Sequence, residues 1–186
     1  MLIQMLVHQP QMLGPIVKNT PLWVWGLLAA LVALGLSQVR ARTASPARIV
    51  LMPAAMTALS IWGTLSAFGQ SLQFGSVQLA WIAAASLSLA LVAPMAAPAG
   101  TRYDASSGRF HLPGSWVPML LILAIFTVRY VVNVELAMQP ALAQDDRYTL
   151  VTSALYGLFS GIFIGRAVRM WRLSFGPAPA GEPVNA

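Results

Sequence analysis

Residues 116–138 read WVPMLLILAIFTVRYVVNVELAM, and this stretch decides the fold. It carries only two charged side chains, Arg129 and Glu135. At ~1.5 Å per residue, a helix of this length crosses the ~30 Å hydrocarbon core of a bilayer. The stretch is apolar all round, so it is not the one-sided helix of a soluble core. It is also about twice the ~10 residues of a barrel strand and lacks the strand's alternation. Ser115 offers an N-cap, and Pro140 stops the helix just beyond its end.

Working outward, four more segments have the same character: 21–39, 47–69, 77–97 and 148–171. The expected fold is an all-α membrane protein, a bundle of five transmembrane helices. Composition agrees. The chain of 186 residues is 58% hydrophobic and 9% charged, with a mean hydropathy of +0.70. A soluble domain carries about 25% charged residues, and a disordered chain is more polar still. Both classes are excluded.

The charges fix an orientation. Eight arginines fall on one side of a five-span arrangement: Arg40, Arg42, Arg48, Arg102, Arg109, Arg166, Arg169 and Arg172. Lys18 and Arg147 fall on the other, and Arg129 is left inside the fourth span. The positive-inside rule then puts the N-terminus outside and the C-terminus in the cytoplasm. Residues 1–17 carry no formally charged side chain, so they do not open as a signal peptide does. Residues 1–20, broken by Pro10 and Pro15, are expected as a periplasmic or interfacial piece, with a frayed terminus as the alternative. Residues 173–186 are expected as a disordered cytoplasmic tail, rich in Pro, Gly and Ala beyond Gly176.

Several chemistries are closed off. Without cysteine there is no thiolate nucleophile, iron–sulfur cluster or Cys-type zinc site. The two histidines, His8 and His111, fall on opposite sides of the membrane and cannot share a haem or a metal. His111 and Asp104 share one loop, which is weak support for a catalytic pair. No phosphate-binding glycine pattern occurs. The basic residues flank apolar segments rather than forming a nucleic-acid stripe. The expectation is a protein without cofactor, metal, nucleic-acid partner or enzymatic activity.

Arg129 is the residue with most to explain. It sits ~20 Å from the inner end of its helix and ~13 Å from the outer end. Burying an arginine at such depth costs at least ~2.5–3.5 kcal/mol, which makes it a functional candidate. Its side chain leans toward the helix N-terminus and so away from the nearer surface. Equal depth in the other helices gives Ser60, Ser86 and Tyr156, and Asn133 is one turn away. A polar layer of Arg129, Asn133, Tyr156 and Ser60 is expected, with Ser86 joining it. Three roles stay open: a lock on helix packing, an anion or substrate site, and a subunit interface.

Helix five carries Ser153, Gly157, Gly161 and Gly165 at a spacing of four. Small residues at this spacing let helix backbones approach closely. The partner is expected within the chain, with helix one as a candidate through Ala29, Ala33 and Ser37, or else in a second copy. Helix two places Thr57, Ser60 and Thr64 on one face, read first as hydroxyls bonding back to their own helix. Between helices three and four, RYDASSGRF at 102–110 predicts a short cytoplasmic β-hairpin, with Gly108 supplying a positive φ. Its place is expected against the helix ends.

Three stretches, TPLWVWGLLAALVALG, RYDASSGRFHLPGSW and FTVRYVVNVELAMQP, resemble a family of small uncharacterised inner-membrane proteins from proteobacteria. A weaker similarity is to CcdC-like membrane proteins. An extra stretch around Gln11 to Asn19 separates this chain from the family's pattern. The resemblance implies location and topology and carries over no functional residue. Two functions are left: a structural or assembly subunit, partnered by lipid, a second copy or another membrane protein, and a small oligomeric transporter or channel with Arg129 at an anion site.

Overall fold

The computed structural model describes residues 13–174. A short helix α1 (Leu13–Asn19) leads into α2 (Leu22–Leu36). Strand β1 (Arg42–Ala44) follows, then α3 (Pro46–Phe68) and α4 (Phe74–Val92). Strands β2 (Arg102–Asp104) and β3 (Arg109–Leu112) precede α5 (Val117–Met138). A 3-10 turn at Pro140–Gln144 leads to α6 (Asp146–Arg172). Of the N-terminal piece expected at 1–20, residues 1–12 lie outside the described residues, as does the tail from 175.

Four of these helices, α3 to α6, are long and apolar enough to cross a membrane. The first expected span is shorter than its sequence suggests. It holds 15 helical residues, which reach only about 22 Å. Its start is held back by Pro21, which serves as N-cap with no side-chain bond, so Thr20 does not cap it. Its other end tightens as Gln38 and Val39 donate to the carbonyls of Gly35 and Leu36, three residues back, and the chain leaves for β1.

The other helix ends follow local chemistry. The Ser45 hydroxyl accepts from the Arg48 amide at 3.4 Å ahead of Pro46, so α3 starts with a cap and a first-turn proline. The Asp145 carboxylate accepts from the Tyr148 amide at 2.7 Å, and Asp146 lies in the first turn. Arg169 and Arg172 close the last turn, the charge order a helix dipole favours.

α6 is the centre of the bundle. It packs most extensively on α4 and next on α3, while α2 packs chiefly on α5. The small-residue face of α6 meets α4, not helix one as its candidate partner suggested. A Cβ on Gly157 would run into the Trp81 carbonyl, and one on Gly161 into Ser88 Oγ and the Ala85 carbonyl. On Gly165 it would lie 2.9 Å from Val92 Cβ. The Ser153 hydroxyl donates to the Val77 carbonyl at 2.7 Å, across 76 residues of sequence. The two helices run parallel, backbone against backbone.

The expected hairpin is present and larger than expected. β2 and β3 pair antiparallel, and β1 adds to the other edge of β3, giving the order β1-β3-β2. Tyr103 faces Phe110, Arg102 faces His111 and Asp104 faces Arg109. Gly108 takes φ +62 as the turn requires. Ala44, Ile49 and Phe110 form a buried cluster with Met170 and Ala167 against it, so the sheet is seated on the ends of α3 and α6. This end of the bundle is called the sheet end below.

Candidate functional site

The α2–α5 pair stands off from α3 and α6, because α5 touches α6 only lightly. The gap is a cavity of about 880 Å³. Its lining is mostly apolar: Leu27 and Leu31 from α2, Leu59 from α3, Phe126 from α5, Phe159 and Phe163 from α6. Among the described lining residues Arg129 alone carries a formal charge. Trp23 of α2 and Trp62 of α3 also line it, and both are about 70% exposed, so they stand at its rim.

The Arg129 side chain crosses from α5 toward α3 and α6. Its guanidinium carbon lies 5.6 Å from the centroid of the Tyr156 ring, a cation–π contact. Its Nη2 occupies the space where a side chain on Gly63 would begin. Gly63 therefore belongs to the layer, although the sequence reading does not include it. An i, i+3 glycine after Ser60 on the hydroxyl face of α3 was the available signal.

The residues expected in the polar layer are brought together unequally. Tyr156 is buried, 4% exposed. The Ser60 hydroxyl donates to the Tyr156 carbonyl at 3.1 Å and accepts from Trp81 Nε1 at 3.1 Å, joining α3, α4 and α6. Asn133 lines the cavity but donates to the Arg129 carbonyl at 2.7 Å, so it serves its own helix. Ser86 is exposed and stands outside the layer; α4 contributes Trp81 instead. Ser153, Gly157, Gly161 and Gly165 are absorbed by the α4 interface and do not line the cavity. Of the α3 hydroxyls, Thr64 bonds back to the Ser60 carbonyl at 3.1 Å, whereas Ser60 reaches across to α6.

α1 also contributes to the cavity wall. Pro15, Ile16 and Asn19 line it opposite Val134 and Met138 of α5. Thr20 and Tyr130 share a hydrogen bond of 2.7 Å, which ties the α1–α2 junction to α5.

At the sheet end, Asp104 and His111 do not pair. Asp104 Oδ1 accepts from the Ser106 amide and hydroxyl, and Oδ2 accepts from the Ser107 hydroxyl. These bonds, the Ser106 hydroxyl first, hold the Asp104 carboxyl down at about 2. The carboxylate is thus engaged in its own turn and faces Arg109, not His111. Among the described residues no group of three His, Cys, Asp or Glu could hold a metal ion, and His8 lies outside them.

The chain belongs to a family of unknown function (DUF6622), whose model matches residues 1–181. The match runs across the stretch around Gln11 to Asn19 that had set the chain apart. No curated protein and no solved structure matches it.

Proposed function

We propose that this member of the family is a multi-pass protein of the bacterial inner membrane, N-terminus outside and sheet end in the cytoplasm. Its cavity takes up an amphiphile from the surrounding lipid, with the anionic head of that molecule at Arg129. The observation that carries the reading is Arg129 itself. It is a guanidinium in an apolar cavity whose side-chain partner is the ring of Tyr156 rather than a carboxylate. A cation so placed attracts a negative group, and the apolar walls suit a hydrocarbon chain more than a hydrated ion.

The exposed rim supports entry from the bilayer, because Trp23 of α2 and Trp62 of α3 line the cavity and are themselves largely exposed. Large apolar side chains such as Leu51, Leu79 and Leu120 are exposed on three different helices, as a lipid-facing surface requires. Of the two functions open at the outset, the cavity favours the one with Arg129 at an anion site. Among the described lining residues the polar groups are a guanidinium, amides, hydroxyls and indoles, which suits binding or transfer of the amphiphile.

The test is binding of a dansylated fatty acid to the protein in nanodiscs. Enhanced dansyl emission is expected, with affinity falling at least about tenfold in Arg129→Leu and less in Arg129→Lys. The methyl ester of the same probe should bind the wild-type protein as weakly as the acid binds Arg129→Leu. Equal affinity of acid and ester, with Arg129→Leu folded and unchanged, would sink the reading.

A further inference from the structure

The sheet end carries more positive charge than its own residues neutralise. Eight arginines gather there, and Asp104 is the one carboxylate among the described residues of that end. Both Asp104 oxygens already accept from Ser106 and Ser107. Three of the arginines occupy the last turns of α6, beside the end of α4. Arg172 donates to the Ala93 carbonyl at 3.2 Å and so caps α4. Arg169 reaches the Ala96 carbonyl only at 3.5 Å, and its Nε is buried with no hydrogen-bond partner among the described residues. Arg166, one turn deeper, is half-buried and makes no hydrogen bond to a described residue; its electrostatic neighbour is Arg169, another cation.

Two adjacent guanidinium groups with unused donors form an incomplete site. A guanidinium presents its N–H groups as a fork that fits two oxygens of one phosphate. The two positions are i and i+3 on one helix, hence neighbours on its surface. Arg166 is only partly exposed, and α6 side chains lean back toward the middle of the bundle, which draws its guanidinium away from bulk water. At the same end of the adjacent α4, Leu91 is exposed and offers apolar surface for an acyl chain.

We propose that Arg166 and Arg169 together seat the phosphate of an anionic phospholipid at the sheet end of the α4–α6 pair. The proposal rests on the membrane reading above but not on the cavity. Basic pockets between spanning helices on the cytoplasmic side are where such headgroups bind. The lipid supplies the negative charge that the sheet end lacks and fastens the ends of α4 and α6 together.

The experiment is native mass spectrometry of the full chain, extracted in mild detergent and offered phosphatidylglycerol, phosphatidylcholine or inorganic phosphate. Phosphatidylglycerol should be retained about tenfold more than phosphatidylcholine. Measured in an Arg129→Leu background, which removes the anion site of the cavity, Arg166→Gln/Arg169→Gln should abolish that preference, while Arg102→Gln/Arg109→Gln keeps it. Arg166→Lys/Arg169→Lys, which keeps the charge and loses the fork, should fall between and serves if the glutamine variant does not fold. A preference that survives in the glutamine variant, or is lost equally in Arg102→Gln/Arg109→Gln, would overturn the site. Displacement of the lipid by millimolar inorganic phosphate would overturn the lipid as its occupant. A preference that emerges only in Glu182→Gln would show that the tail carboxylate fills the site instead. If the chain leaves membranes without detergent, the membrane reading fails and takes this site with it. If it needs detergent yet shows no preference for the anionic lipid, the site alone fails.

Discussion

The guanidinium of Arg129 on α5 lies over the ring of Tyr156 on α6, in space left open by the missing side chain of Gly63 on α3. Three helices thus define one position for one charge. The Tyr156 carbonyl, in turn, accepts from Ser60, one turn from Gly63 along α3. The charge is held by geometry on three sides, and its fourth side is the cavity.

Gly63→Ala should therefore act through Arg129. A Cβ at residue 63 collides with the guanidinium, the far end of a flexible side chain, so Arg129 must swing aside into the cavity and give up its contact with Tyr156, worth about 0.5–2 kcal/mol. In an Arg129→Ala background the same change should cost almost nothing. Thermal unfolding of the two single variants and the double variant measures this coupling. Additive losses would mean that Gly63 does not make room for Arg129.

Tyr156 offers a separable test of the cation–π contact. Tyr156→Phe keeps the ring and should leave stability nearly unchanged. Tyr156→Leu removes the ring face and should cost about 0.5–2 kcal/mol for that contact alone. Equal effects of the two changes would assign the role to the hydroxyl.

The α4–α6 interface should tolerate nothing larger than it has. Gly161→Val would push a side chain into the Ala85 carbonyl and Ser88, with no flexible neighbour to give way. The loss should exceed about 3 kcal/mol, because backbone rather than side chain must move. Ser153→Ala, which only removes the hydrogen bond to Val77, should cost about 0.5–1.5 kcal/mol. Denaturation in detergent micelles ranks the two.

The turn at the sheet end should be insensitive to pH down to acid values. Asp104 has its carboxyl depressed from 3.8 to about 2 by the Ser106 and Ser107 bonds. A depressed carboxyl stabilises the turn fully above its unfolded value and loses that contribution as pH falls through the folded one. The protection factor of the Ser106 amide should stay constant through neutral pH and fall between the unfolded value of 3.8 and the folded value of about 2 as Asp104 protonates. Asp104→Asn should exchange faster at neutral pH and show no such transition.

Because the chain has no cysteine, its sidedness can be read with single introduced thiols. Leu72, 98% exposed between α3 and α4, and Ala105, in the β2–β3 turn, lie at opposite ends of the bundle. A membrane-impermeant maleimide added to intact spheroplasts should label Leu72→Cys and spare Ala105→Cys. Labelling of both from one side would refute the proposed topology.

Local chemistry explains which parts of this arrangement the sequence made legible. Long apolar runs bounded by Pro, Ser and Asp placed the helices, since hydropathy and caps act within a few residues. Gly108 announced the hairpin because its turn needs a positive φ. β1 went unseen because three residues, Arg42, Thr43 and Ala44, carry no alternation; they become a strand only when β3 arrives to pair with them. The spacing of Gly157, Gly161 and Gly165 announced close packing without naming α4, because a smooth face fits any smooth partner. Counting depth along helices aligned Ser60 and Tyr156 with Arg129 but could not give rotation, so Ser86 was included and Trp81 and Gly63 were not. Arg129 was conspicuous in the sequence by its charge. Its cavity was not, since a void is a property of how helices stand apart.

The parallel α4–α6 pair also sets a clock. The Ser153 hydroxyl and its acceptor, the Val77 carbonyl, are separated by 76 residues. At about 5–20 residues per second, a ribosome needs on the order of 4 to 15 s to make that length. Through that interval α4 has been synthesised and its most extensive neighbour has not. Whatever shelters Trp81, Ala85 and Ser88 during those seconds must then yield to α6.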